Sequence, residues 1–193
     1  MPSKKAGAST ALFIAAAFFC LLPLSARPPQ TALDLDGKPL DPIKSSQGKI
    51  TVLVFVRTDC PISNRYAPLL QRLSDSFSGK AKFWLVYPDK KTTAQEIAGH
   101  IRQFHYSISP LRDPNHSLVK FAGATITPEA AVFDSHGRLL YHGRIDNWYE
   151  DAARSRPAAT THELQSVIEA ALGGKPAPLA TAPAVGCYIS DLE

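Results

Sequence analysis

Cys60 is the residue of this sequence that is best placed to do chemistry. It follows the apolar segment 50–56 by four residues and directly precedes Pro61, after which apolar residues recur at helical spacing. A cysteine just before a helix N-terminus faces unpaired backbone N–H groups and the positive end of the helix dipole, which favour thiolate over thiol. The position therefore predicts a nucleophilic thiol. The alternative interpretation is a small apolar residue that ends a buried strand.

The residues around Cys60 are predicted to shape this site. Arg57 and Arg65 would add positive charge, whereas Asp59 would oppose it. Pro61 suits the first helical turn, where its missing N–H is not needed. The predicted site-shaping residues beside Cys60 are Arg57, Thr58, Pro61, Ser63 and Asn64.

The N-terminal segment 1–26 has the three parts of a secretory signal peptide. Two lysines precede an apolar run over residues 11–24, which closes on Ser25-Ala26. The run has about 14 residues, fewer than the roughly 20 that a membrane-spanning helix needs. We therefore expect a mature chain that begins at Arg27, is periplasmic or extracellular, and has no stable membrane insertion.

Cys187 is the expected partner of Cys60. Removal of the signal would also remove Cys20, so that only these two cysteines remain. The tail over 173–193 is rich in proline and alanine, yet it contains a short hydrophobic segment, 185–189, around Cys187. We expect Cys187 to come within bonding reach of Cys60, which requires Cα atoms within about 7 Å. Whether the two form a disulfide is left open.

Hydrophobic periodicity predicts the elements that position these residues. Two successive strand–helix units indicate parallel pairing in one α/β domain. The predicted elements are an edge strand over 33–38, a central strand over 50–56, a helix over 62–77, a strand over 83–87, a helix over 93–104 with a capping box, a short helix over 115–121, a β-hairpin of 130–133 and 139–141, and a last helix over 161–172 capped by Thr160 or Thr161.

This order of elements and motifs resembles the thioredoxin-like superfamily, and within it the redoxin branch of peroxiredoxins and extracytoplasmic thiol–disulfide reductases. The resemblance is carried by residues 58–64, by Thr127-Pro128-Glu129 and by residues 134–137. It implies a three-layer α/β fold over residues 27–172, with a mixed central sheet flanked by helices. It also implies a cis proline at Pro128, where Thr127 and Pro128 would shape a docking surface.

Departures from the known sub-families narrow the chemistry. Thioredoxins carry a second cysteine where this chain has Ser63, so no local dithiol can form. Peroxiredoxins place a threonine where this chain has Arg57, and Sco-type copper proteins place their second cysteine where it has Asn64. For each named sub-family, this chain thus lacks a residue that the chemistry of that sub-family uses.

The resemblance and the two thiols together predict a thiol oxidoreductase. Cys60 would attack the disulfide of a protein partner or a small peroxide, and Cys187 would act as a distant resolving thiol. No organic cofactor is implied, because the sulfur carries the electrons. Two alternatives use the same cysteines: a soft-metal site of Cys60, Cys187 and a histidine, and a non-catalytic binding module with a permanent disulfide.

The remaining features predict little about partners. The formal charge of +4 comes from scattered Lys and Arg residues, and no nucleic-acid-binding signature is present, so no nucleic-acid partner is expected. Most of the six histidines are expected at the surface. The acidic and aromatic loop 146–151 is expected to cover an edge of the fold, with contact to a partner as the alternative. Tyr66 and Trp84 are expected to lie in the core. The sequence does not determine the oligomeric state.

Overall fold

The computed structural model of the chain describes residues 30–190 and 192. The predicted signal peptide, with Cys20 and the expected start at Arg27, lies outside the described residues. The strands are β1 (Ala32–Leu33), β2 (Pro39–Leu40), β3 (Ile50–Phe55), β4 (Ala81–Tyr87), β5 (Ser109–Arg112), β6 (Ile126–Thr127), β7 (Glu129–Phe133), β8 (Leu139–Gly143), β9 (Thr181–Ala182) and β10 (Cys187–Tyr188). The helices are α1 (Pro42–Ser45), α2 (Pro61–Ser76), α3 (Ala94–Gln103), α4 (Ser117–Ala122) and α5 (Glu163–Leu172).

Eight of these strands form one mixed sheet in the order β2-β1-β5-β4-β3-β7-β8-β9. Strands β3 and β4 run parallel, as the two strand–helix units predicted, and β7 and β8 form the predicted antiparallel hairpin. Strand β5, which the sequence analysis did not identify, runs parallel to β4. β10 pairs instead with β6, in a separate two-stranded ladder. The tail therefore contributes strands to both sheets.

The central strand β3 is buried on both faces, which explains its nearly unbroken apolar sequence. Val52 and Val54 face the cluster built by α2, α3 and α5, whereas Leu53 and Phe55 face the cluster that includes α4. Alternate residues of one strand thus enter two cores, giving helix, sheet and helix layers. The expected α/β fold is confirmed, and Tyr66 and Trp84 lie in the core as expected.

Two local predictions were wrong, and side-chain hydrogen bonds explain both. The segment 33–38 is not one strand, because the Asp34 carboxylate accepts hydrogen bonds from the N–H groups of Asp36 and Lys38 and closes a turn. Gly37, at φ +81°, continues that turn. The last helix begins after His162 and not after a threonine cap.

The helix α2 begins directly at the predicted reactive residue. Cys60 is its N-cap with extended backbone (φ −88°, ψ 110°), and Pro61 occupies the first turn. The Cys60 side chain accepts no hydrogen bond from the first N–H groups of α2, and therefore does not cap the helix. Within residues 30–190 and 192, no helix has the length and apolar character needed to cross a membrane.

Candidate active site around Cys60 and Cys187

Cys60 and Cys187 form a disulfide, although 127 positions separate them in sequence. Their Cα atoms lie 6.1 Å apart. The Cys60 side chain is fully buried, whereas Cys187 is half-buried. The expectation that Cys187 comes within bonding reach of Cys60 is confirmed.

The peptide bond between Thr127 and Pro128 is cis, as the resemblance implied, and it lies against the disulfide. The Cys60 sulfur lies 3.3 Å from the carbonyl oxygen of Thr127. The Thr127 hydroxyl donates a hydrogen bond of 3.2 Å to the carbonyl oxygen of Cys187. Thr127 therefore contacts both cysteines of the pair.

The tail reaches this site as an added strand. Cys187 is paired with Thr127, and Tyr188 with Ile126, in an antiparallel ladder. Gly186 lies so close to Thr127 that a side-chain Cβ at this position would overlap the Thr127 carbonyl group and would stand 3.1 Å from Pro128 Cδ. Glycine is the residue that permits the tail to approach this closely.

Arg57 lies beside the site, but its charge is shared between two carboxylates. Its guanidinium pairs with Asp59 at 2.9 Å and with Asp89 at 3.7 Å. It also donates a hydrogen bond of 3.3 Å to the carbonyl oxygen of Tyr188. Arg57 thus contacts the tail backbone directly. Arg65 donates to the Tyr149 hydroxyl.

Asn64 joins the Cys60 loop to a buried histidine that the sequence analysis did not single out. The Asn64 amide donates to the carbonyl oxygen of Thr58 at 3.1 Å, and its oxygen accepts from His100 Nε2 at 2.8 Å. The other ring nitrogen of His100 accepts from the Tyr87 hydroxyl at 2.8 Å. Burial lowers the pKa of His100, which favours the neutral ring at neutral pH, and the Nε2–H tautomer of that ring fits both hydrogen bonds.

The position of His100 carried a signal that could have revealed this role. Ile97, His100 and Phe104 recur at spacings of three and four, on the side of α3 that packs toward the core. Of the six histidines, His105, His136 and His162 are exposed, as expected, whereas His142 is half-buried and His100 and His116 are buried.

Ser63, at the position of the missing second cysteine, is buried. Its hydroxyl has no hydrogen-bond partner among the described residues. The structure therefore brings Ser63 into the packed face of α2 and gives it no polar contact with the disulfide.

Glu129 holds the short strand against which the tail pairs. Its carboxylate is buried and accepts hydrogen bonds from the N–H groups of Thr125 at 2.9 Å and Ile126 at 3.3 Å. His142 Nδ1 lies 3.3 Å from the same carboxylate. The sequence motif contained Glu129, but only the structure assigns it this contact.

The loop 146–151 packs against α2. The Tyr66 hydroxyl donates a hydrogen bond of 2.6 Å to the buried Asp146 carboxylate, and the rings of Tyr66, Trp148 and Tyr149 pack together. Burial, followed by the bond to Asp146, raises the pKa of Tyr66, which keeps this phenol protonated.

Comparison with known proteins gives the class of this fold. Residues 48–139 match the family model described as thioredoxin-like. No curated protein matches the sequence. An uncharacterised conserved protein from Geobacillus kaustophilus is 21% identical with a TM-score of 0.70, covering 84% of this chain and 88% of the other.

Two further solved structures are similar. A hypothetical protein from Sinorhizobium meliloti is 21% identical with a TM-score of 0.69, covering 82% of this chain and 88% of that one. A secreted disulfide oxidoreductase from Mycobacterium tuberculosis is 19% identical with a TM-score of 0.52, covering 75% and 94%. The thioredoxin-like fold that the resemblance implied is thereby confirmed, and at these identities the structures show the fold alone.

Proposed function

We propose that this chain is an exported thiol–disulfide oxidoreductase in which Cys60 reacts with a protein partner and Cys187 resolves the intermediate. The observation that carries the proposal is the disulfide between Cys60, at the N-terminus of α2, and Cys187, beside the cis Thr127–Pro128 bond. The secreted disulfide oxidoreductase of similar fold from Mycobacterium tuberculosis is consistent with it.

The mechanism is a two-step exchange. In the reduced protein, the Cys60 thiolate attacks one sulfur of the partner disulfide, so that a mixed disulfide forms and the second partner sulfur leaves as a thiolate. Cys187 then attacks the Cys60 sulfur, closes the Cys60–Cys187 bond and releases the partner dithiol. The reverse sequence oxidises a partner dithiol, and the potentials of the two couples determine the direction.

The surroundings of Cys60 favour a polypeptide disulfide over a peroxide. Arg57 stands where peroxiredoxins place a threonine, and its guanidinium pairs with carboxylates and a tail carbonyl. The Cys60 sulfur is buried beneath a strand pairing and would be reached by another extended segment. Consumption of hydrogen peroxide by the reduced protein, at a rate that depends on Cys60, would instead support peroxidase chemistry.

The two alternatives differ in what happens to the disulfide. Among residues 30–190 and 192, no three His, Cys, Asp or Glu side chains are grouped so that they could hold a metal ion. The full burial of Cys60 is the observation that favours a permanent disulfide in a binding module. A redox test of the disulfide separates that alternative from the proposed oxidoreductase.

The experiment is equilibration of the full chain with mixtures of reduced and oxidised glutathione, followed by acid quenching and mass determination. We expect the Cys60–Cys187 bond to open and close reversibly, and the Cys187→Ser variant to accumulate a mixed disulfide on Cys60. The Cys60→Ser variant is the matched control. A disulfide that stays closed in excess glutathione and dithiothreitol would contradict the proposal and favour the binding module.

Export is a separate part of the proposal and has its own measurement. Protein collected outside the cytoplasm is expected to have the intact mass of a chain that begins at Arg27, because small residues end the apolar run at Ser25-Ala26. A mass that retains residues 1–26, or one that carries lipid on Cys20, would contradict a soluble exported protein.

A further inference from the structure

The tail segment 185–189 is bound at the active site mainly through its backbone. Cys187 and Tyr188 pair with β6, and the Ile189 N–H donates a hydrogen bond of 3.0 Å to the carbonyl oxygen of Thr125. Arg57 and the Thr127 hydroxyl donate to two tail carbonyl groups. Contacts of this kind bind any extended segment in this register, whatever its side chains.

Three positions of this segment are closely restricted by their surroundings, and Val185 is half-buried against the core cluster built by α2, α3 and α5. At Gly186 the Thr127 carbonyl leaves no room for a Cβ, and at Cys187 the sulfur is bonded to Cys60. Ile189 is buried, with 6% of its surface exposed, in the core cluster shared with α4. Tyr188, between the last two, is 78% exposed and therefore unrestricted.

A partner cysteine must reach Cys60 along the same strand edge. The Cys60 sulfur is fully buried, and the position next to it is filled by Cys187 while the disulfide is closed. When a partner sulfur bonds to Cys60, it takes the place of the Cys187 sulfur. The partner residue directly before the cysteine then lies against the Thr127 carbonyl. The partner residue two positions after the cysteine lies where Ile189 is buried in the oxidised protein.

We infer that the β6 edge selects partner segments that carry glycine directly before the reacting cysteine and an aliphatic residue two positions after it. This selectivity rests on the proposed oxidoreductase function and deepens it by naming the substrate class. In the exchange step, the partner thiolate bonds to the Cys60 sulfur and the disulfide bond from Cys60 to Cys187 breaks. The Cys187 sulfur then leaves as a thiolate.

The test uses the Cys187→Ser variant of the exported chain, which begins at Arg27 and lacks Cys20, with Cys60 loaded as its thionitrobenzoate mixed disulfide. The absorbance of released thionitrobenzoate gives the rate. The parent peptide is Val-Gly-Cys-Tyr-Ile-Ser. Three variants replace its glycine by alanine, its isoleucine by serine, or its tyrosine by serine. Each rate is divided by that of the same peptide with the free aromatic disulfide, which removes intrinsic thiol reactivity. The tail of the protein competes equally with every peptide.

The alanine peptide and the serine-for-isoleucine peptide are expected to react at least about tenfold more slowly than the parent, and the serine-for-tyrosine peptide within about twofold of it. Equal normalised rates for the glycine and alanine peptides would overturn the selectivity and leave the oxidoreductase function standing. If neither the peptides nor glutathione displace thionitrobenzoate from Cys60, the proposed function itself fails, and the selectivity with it.

Discussion

The Cys60 sulfur lies 3.3 Å from the carbonyl oxygen of Thr127. Because Thr127 also pairs with Cys187 through backbone and hydroxyl, one residue fixes where both sulfurs meet. The site is therefore defined by the placement of β6, which the buried Glu129 carboxylate holds through two backbone N–H groups.

Replacing Cys187 is expected to destabilise the oxidised protein. In the chain-entropy treatment, a disulfide that closes so long a loop contributes about 4–5 kcal/mol as an upper figure. Cys187→Ser should therefore lower the free energy of unfolding of the oxidised protein by about 4 kcal/mol, as measured by denaturant titration. Reduced wild type is the control and should resemble the variant. Equal stability of the variant and the oxidised wild type would contradict the expectation.

Gly186→Ala is expected to weaken the disulfide without touching a cysteine. The added Cβ overlaps the Thr127 carbonyl, so β10 must shift away from β6. We expect the glutathione equilibrium to move toward the reduced form by about tenfold. Gly99→Ala is the matched control, since a Cβ at Gly99 meets no atom of the described residues within 4 Å. If both variants keep the wild-type equilibrium, the close approach at Gly186 does not determine disulfide strength.

Reduced Cys60 is expected to react as a thiolate at near-neutral pH. Its place at the N-terminus of α2 favours the thiolate over the thiol. Arg57 adds little to this effect, because its charge is paired with Asp59 and Asp89. In a Cys187→Ala background, alkylation between about pH 6 and 7 should be faster than that of a free cysteine peptide. A rate profile that titrates at or above about 8.5 would show that Cys60 is structural.

The buried His100 predicts a pH dependence of stability. Its pKa is lowered by burial, so below about pH 6.5 the unfolded chain binds a proton that the folded chain does not. The stability that depends on a neutral His100 is therefore fully present above this pH and is lost as the pH decreases. The free energy of unfolding falls by at most about 1.4 kcal/mol per pH unit for one proton.

The His100→Gln variant tests this dependence through the slope of the unfolding free energy between about pH 5 and 6.5. The slope should become shallower in His100→Gln, whatever its absolute stability, and should persist in His105→Gln, where the replaced ring is exposed. An unchanged slope in His100→Gln would show that His100 does not carry the effect.

The long elements were predictable because each buries a continuous apolar surface. The doubly buried β3 and the amphipathic α2 follow from composition and from spacings of three and four. The capping box of Thr93 and Glu96 also formed as predicted, since both of its bonds are local.

The errors occurred where polar side chains form hydrogen bonds that the hydrophobic pattern does not reveal. The Thr160 hydroxyl accepts from the Asn147 amide, and the Thr161 hydroxyl donates to the Glu163 carboxylate, so neither caps α5. Hydrophobic periodicity does not identify the hydrogen-bond partner of a polar side chain, whether that partner is near or far in sequence. The same reason hid the contact of Asn64 with His100, which only the packing of α3 against α2 brings together.

The two strands of the tail set the effective concentration of its thiol. β9 pairs with β8 and ends at Ala182, and β10 begins at Cys187, so four residues join two anchored positions. A span of this length extends at most about 17 Å. When the disulfide opens and β10 leaves β6, Cys187 stays within that radius of Ala182, and short flexible linkers give effective concentrations in the millimolar range. A mixed disulfide on Cys60 should therefore be short-lived in the wild type, and external thiols at concentrations well below millimolar should compete poorly with Cys187 for its resolution.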